Sequence, residues 1–160
     1  MKLILRWFSW KRSLLLSIIV LLVLIVSSFY GLYTNKFYFF KFDNYIFPLV
    51  TLAHFAFLYV IWFKIKEGEI ADPQMRNLEF AMYIIVLIYI FRFSETLYTL
   101  LSYSEYESHV IPKTFIPIGI LILFCNGLLL GLTLLTFKYR KMLVGSYNFD
   151  EMNEKIDSWD

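Results

Sequence analysis

Cysteine is nearly missing from this 160-residue chain: Cys125 stands alone. No disulfide can close within one chain, and cysteine-rich metal or thiol-exchange chemistry is excluded with it. Charge is scarce too, at 18% of residues against about 25% in soluble domains. The net charge of +2 is too small to suggest a nucleic-acid partner. Neither HExxH nor GxSxG occurs, and no Cys–His arrangement falls at a shared depth, so hydrolytic and lipid-modifying chemistry has no constellation to stand on. No internal repeat is visible.

What fills the chain instead is apolar. Hydrophobic residues make up 59% and aromatics 21%, including 17 Phe and 12 Tyr, and the mean hydropathy is +0.63. A helix needs about 20 apolar residues to cross the hydrocarbon layer. Four stretches qualify: 13–35, 44–63, 80–103 and 114–137. Three are free of charge; 80–103 contains Arg92 and Glu95. The fold expected is an all-α integral membrane protein, an antiparallel four-transmembrane-helix bundle over residues 1–144 with short connections. Its N-terminal segment, mixing Lys2 and Arg6 with Leu3, Trp7 and Trp10, reads as interfacial. Residues 145–160 form a short cytoplasmic tail. A competing reading makes 14–26 the core of a cleaved signal peptide, although the uncharged run is longer than that needs.

Eleven Lys and Arg fall in the N-terminal segment, the middle loop and the tail, against three in the other two loops. Basic residues stay on the cytoplasmic side, so both termini are expected inside, or on the matrix side of an organelle. The aromatic-rich stretch 29–47 then lies at the opposite surface, as a headgroup belt or a docking surface. Pro48 and Pro117 suit first helical turns, and Gly145 can terminate a helix continuing from the fourth span.

Aligning the middles of the spans brings His54, Arg92, Glu95 and Asn126 to a similar depth. Arg92 and Glu95, three apart, share a helix face with Tyr89, Thr96, Thr99 and Ser102. An uncompensated charge at mid-membrane costs about 2.5–3.5 kcal/mol on insertion scales, so this face is expected to meet a bundle interior or a wet cavity. The cluster reads as a structural ion pair, a proton or ion path using Glu95 and His54, or a ligand pocket. One intramembrane histidine cannot hold a haem from both sides, and no cofactor or metal is expected. On the outer loop, Glu105, Glu107 and His109 form only a loose, solvated set. In the fourth span Gly127 and Gly131 make a GxxxG motif, with Gly119 on or beside the same face. Small residues let helices approach closely, within the chain or between copies.

In the tail, Phe149, Met152, Ile156 and Trp159 recur on one helical face, opened by Asn148 and Glu151 as a capping box. Asp150, Glu151, Glu154 and Asp157 on its other faces would be repelled by anionic lipid, so the apolar face is expected to meet protein. That protein is the chain's own middle loop or a cytoplasmic partner. The expected partners are thus the bilayer, other membrane subunits or copies of the chain, and protein contact through the tail. The sequence supports a non-catalytic membrane subunit first. An oligomeric channel or pore-forming effector, or a proton or ion path lined by the polar stripe, is the alternative; a lipid-modifying enzyme comes last.

Overall fold

A computed structural model describes residues 9–105 and 111–147. They form four long helices: α1 (Trp10–Ser28), α2 (Ile46–Glu67), α3 (Pro73–Leu101) and α4 (Phe115–Leu143). All four are long and apolar enough to cross a membrane, so the chain is a multi-pass membrane protein by length and composition.

The ends of the helices follow local chemistry rather than the limits of the uncharged runs. The first run was expected to stay helical to residue 35, but α1 stops at Ser28. A two-stranded hairpin follows, pairing β1 (Tyr30–Gly31) with β2 (Lys36–Phe37). Asn35 adopts a left-handed φ of 52°, a conformation asparagine tolerates better than most residues. At Gly31 a Cβ would fall 2.7 Å from the Tyr38 ring, so only glycine lets the hairpin close. The run carries no charge until Lys36, so its charge-free length extends past the helix although its apolar character falls after Ser28.

The third helix was expected from residue 80 but begins at Pro73. The Asp72 carboxylate accepts a hydrogen bond from the Met75 amide at 2.7 Å, and Pro73 occupies the first turn. The middle loop thus shrinks to the few residues after Gly68, whose φ of 69° ends α2. The fourth helix continues to Leu143, and Gly145, with φ of 100°, turns the chain just beyond it.

α4 packs against α1 and α3, and α2 packs against the same two helices; α1 and α3 occupy opposite corners. The α3–α4 seam is antiparallel. Leu100 lies against Gly119, Phe93 against Gly127, and Glu79 against Arg140, so numbering falls along one helix as it rises along the other. The core contains Leu21, Phe57, Ile61, Met82 and Leu129, all fully buried. Ser13 and Ser17 on α1, and Thr133 and Thr136 on α4, are fully buried as well. Three of these four return their hydroxyls to the carbonyl one turn back: Ser17 to Ser13, Thr133 to Leu129 and Thr136 to Leu132. Buried hydroxyls satisfied within their own helix let small side chains occupy the core.

Candidate functional site

Arg92, Glu95, Thr96 and Thr99 lie on one face of α3, and all four open onto a cavity of about 480 Å³. The cavity sits at the hairpin end of the bundle. Ser27 and Ser28 from α1, Asn44 before α2 and Asn126 from α4 contribute polar wall, and the hairpin forms the roof. Arg92 Nη1 donates to Glu95 Oε2 at 3.1 Å, and the two side chains remain 34% and 51% exposed. Thr96 donates to the Arg92 carbonyl at 2.9 Å, and Asn126 Nδ2 to the Ile122 carbonyl at 3.0 Å.

The roof is fastened at several points. The Tyr38 hydroxyl donates to Thr34 Oγ1 at 2.9 Å, Asn44 Nδ2 donates to the Tyr38 carbonyl at 2.8 Å, and the Ser28 hydroxyl lies 3.1 Å from the Asn44 carbonyl. The rings of Phe29, Phe37, Phe39 and Tyr45 cluster around it.

The single polar layer expected from the sequence separates into two compartments. α3 runs from residue 73 to 101, so its middle is Leu87. At about 1.5 Å per residue, Arg92 and Glu95 lie roughly 7.5 and 12 Å from that middle, toward the hairpin. His54 does not join them: it is fully buried, and its Nδ1 shares a hydrogen bond of 2.9 Å with the Tyr89 hydroxyl. Tyr89 packs on Phe47, a residue of the cavity wall, with ring centroids 5.8 Å apart, so these rings stand between the vestibule and His54. The structure therefore unites Arg92, Glu95 and Asn126 and leaves His54 apart. Tyr89, assigned to the Arg92 stripe from spacing, turns to His54 instead.

The glycines also divide. A Cβ on Gly119 would meet Leu100 at 2.5 Å and one on Gly127 would meet Phe93 at 3.3 Å, so both face α3. Gly131 faces open space. Phe149, Met152, Ile156 and Trp159, with the Asn148–Glu151 cap, lie outside the described residues, as do Glu107 and His109. Among the described residues no group of three or more His, Cys, Asp or Glu side chains could hold a metal ion. Cys125 is buried.

The opposite end of the bundle holds an ion pair that the span boundaries concealed. Arg140 Nη2 donates to Glu79 Oε1 at 2.6 Å, with the side chains only 9% and 2% exposed. The Tyr83 hydroxyl donates to the same oxygen at 2.7 Å, and the Tyr147 hydroxyl donates to Oε2. Arg140 also donates to the Gly145 carbonyl at 3.1 Å and lies 4.4 Å from the centre of the Tyr147 ring. Burial, then the bond to the Glu79 carboxylate, pushes the Tyr147 hydroxyl above its ordinary range. Span limits at Phe80 and Phe137 leave Glu79 and Arg140 just outside the third and fourth spans, because each limit stops at the neighbouring charge. The recoverable signal is Asp72-Pro73, a helix start seven residues before the span limit at Phe80.

Nearby, Lys64 is 2.7 Å from both Glu69 and Asp72. Burial by itself would raise the Asp72 carboxyl, but the Lys64 ammonium and the Met75 amide together hold it below the ordinary value of 3.8. No family model, no curated protein and no solved structure matches the chain.

Proposed function

We propose that this protein is a non-catalytic membrane subunit that assembles with copies of itself or with other membrane proteins, with both termini on the cytoplasmic side. The observation that carries the reading is the outward face of α3. Phe80, Ile84, Leu87, Phe91, Ser94, Tyr98 and Leu101 alternate at spacings of four and three, and every one is exposed. A stripe repeating every 3.5 residues is the pattern by which one helix accepts knobs from another. Lipid asks only that such a face be apolar. The face is continuous and broad, with Tyr83, Ile90 and Leu97 exposed beside the stripe, and the small polar Ser94, fifth of its seven residues, suits a second helix. α3 is also the least covered of the four helices: 11% of its apolar window is buried within the chain, against 33% for each of the others.

The orientation rests on the basic residues around Lys64, Lys66, Arg76 and Lys138–Lys141, all at the end away from the hairpin. The channel reading required the α3 polar stripe to line a lumen shared by several copies. The vestibule within one chain accounts for Arg92, Glu95, Thr96 and Thr99 without that requirement, which favours the subunit reading.

Cysteine cross-linking tests it. In a Cys125→Ala background, Ser94→Cys is expected to form a disulfide-linked dimer in native membranes, or to be shielded from a membrane-permeant maleimide by a co-purifying partner. A monomer in mild detergent whose Cys at position 94 neither cross-links nor is shielded would overturn the proposal.

A further inference from the structure

The Arg92–Glu95 contact leaves most of the hydrogen-bonding capacity of both groups unused. A guanidinium has five N–H donors and a carboxylate about four acceptor sites. Among the described residues one bond joins them, Arg92 Nη1 to Glu95 Oε2. Both residues line the cavity, and no hydrogen bond joins the remaining Arg92 donors or Glu95 Oε1 to another described residue. Asn126 commits its amide nitrogen to the Ile122 carbonyl, so its side-chain oxygen is an acceptor without a partner among the described residues. Tyr30, Tyr33 and Tyr38 bring aromatic rings to the same space from the roof.

These groups select for charge type. A simple anion attracted to Arg92 meets the Glu95 carboxylate a hydrogen bond away, and a simple cation meets the guanidinium; Lys41, the other charged residue of the wall, is paired with Asp43 at 3.7 Å. A molecule bearing both charges replaces one Arg–Glu contact with two charge-assisted contacts, each stronger than a neutral hydrogen bond. Tyrosine faces add favourable contact with an ammonium group. The single 3.1 Å contact places the two protein charges close together, so the complementary charges must be joined by a short linker. A cavity of about 480 Å³ is within the range of small-molecule sites.

We propose that the vestibule binds a zwitterion: an amine and an oxyanion joined by a linker of two or three atoms. The oxyanion lies on Arg92, and the ammonium lies on Glu95 beneath the tyrosines. The same chemistry is offered by a free solute and by the headgroup of a zwitterionic phospholipid in the leaflet at the hairpin end. The inference is independent of assembly, since every group comes from one chain.

The test is calorimetric titration of the full chain in nanodiscs of anionic phosphatidylglycerol, with phosphoethanolamine, ethanolamine and inorganic phosphate as probes. Phosphoethanolamine is expected to bind at least tenfold more tightly than either half. Arg92→Gln and Glu95→Gln are each expected to reduce it to the level of the halves, while Gln74→Ala, exposed at the far end of α3, leaves it unchanged. Melting of the unliganded variants verifies that they fold, and Tyr38→Phe, which frees Thr34 without removing a charge, is a milder second variant expected to weaken binding two- to fivefold. Short-chain phosphatidylethanolamine distinguishes the sources: binding of the lipid form alone assigns a headgroup, and binding of the free form assigns a solute. No heat from either form, halves that bind as tightly as the whole, or folded Arg92→Gln and Glu95→Gln proteins that bind like the parent would overturn the proposal.

Discussion

Replacing Glu79 with Gln isolates the worth of a buried charge. Glutamine has the same shape, and its carbonyl oxygen can still accept from Tyr83 and Arg140. Its amide nitrogen can turn to the Tyr147 hydroxyl. The hydrogen-bond count therefore survives, and what disappears is the negative charge opposite a guanidinium whose side chain is 9% exposed. Breaking a buried pair by removing one partner costs about 3–5 kcal/mol, because the remaining charge is uncompensated. Arg140 keeps its bond to the Gly145 carbonyl and its position over the Tyr147 ring. These place the expected loss at the lower end, about 3 kcal/mol, roughly 150-fold in the unfolding equilibrium. Removing both charges, as Glu79→Leu with Arg140→Met, is expected to cost less than Glu79→Gln alone, because no charge is left uncompensated even though the Tyr83 and Tyr147 hydroxyls lose this acceptor. Reversible unfolding in mixed detergent and dodecyl sulfate micelles, followed by tryptophan fluorescence, measures all the variants. A Glu79→Gln loss under about 1 kcal/mol, or a double variant as damaged as the sum of its parts, would refute the assignment of this pair as a buried charge lock.

Three further outcomes are expected. Gly119→Leu should cost about 1–3 kcal/mol by overpacking Leu100, whereas Gly131→Ala should stabilise the helix by up to about 1 kcal/mol, both read by the same unfolding assay. A Gly131→Ala variant that instead dissociates a native complex would place that glycine against a partner. Tyr89→Phe should cost about 1–3 kcal/mol by stripping His54 Nδ1 of its partner, and Tyr89→Phe with His54→Leu should recover most of it; equal losses in the single and double variants would count against the pairing. Asp72 is held below its ordinary 3.8, so its contribution is complete above that value and is lost as pH falls through the lower, folded value. Unfolding between pH 6 and 3 should therefore show less acid destabilisation for Asp72→Asn than for the parent, and Asp72→Ala should lose about 1 kcal/mol near neutrality through the missing cap.

The spans were legible because hydropathy over some twenty residues is a long-range average, insensitive to any one position. The positions of the polar groups were not, because they depend on where each helix begins. Moving the start of α3 from Phe80 to Pro73 displaced its middle and sent Arg92 toward the hairpin, away from His54. The Arg92–Glu95 pairing survived, since three residues apart on a helix fixes it locally. His54–Tyr89 and Glu79–Arg140 join residues 35 and 61 positions apart. Their pairing is decided by the lateral order and rotation of the helices, which composition does not encode. The hairpin was hidden for another reason: no charge separates Ser28 from Lys36, and only the fall in apolar character over Tyr30, Tyr33, Thr34 and Asn35, with Gly31 among them, marks the turn.

The unequal helix lengths have a mechanical consequence for the surrounding bilayer. α1 has 19 residues, and α3 and α4 have 29 each. At about 1.5 Å per residue they measure roughly 28 and 43 Å, against a hydrocarbon layer of about 30 Å. No single membrane thickness matches all four helices, so the long pair must tilt, protrude or thicken the lipid beside it. The surplus falls where Gln74, Arg76, Glu79, Lys138 and Arg140 make the long helices polar, and there the Glu79–Arg140 pair braces the two against each other. The long pair thus acts as a stiff two-helix post whose exposed height changes with the thickness of the membrane around it.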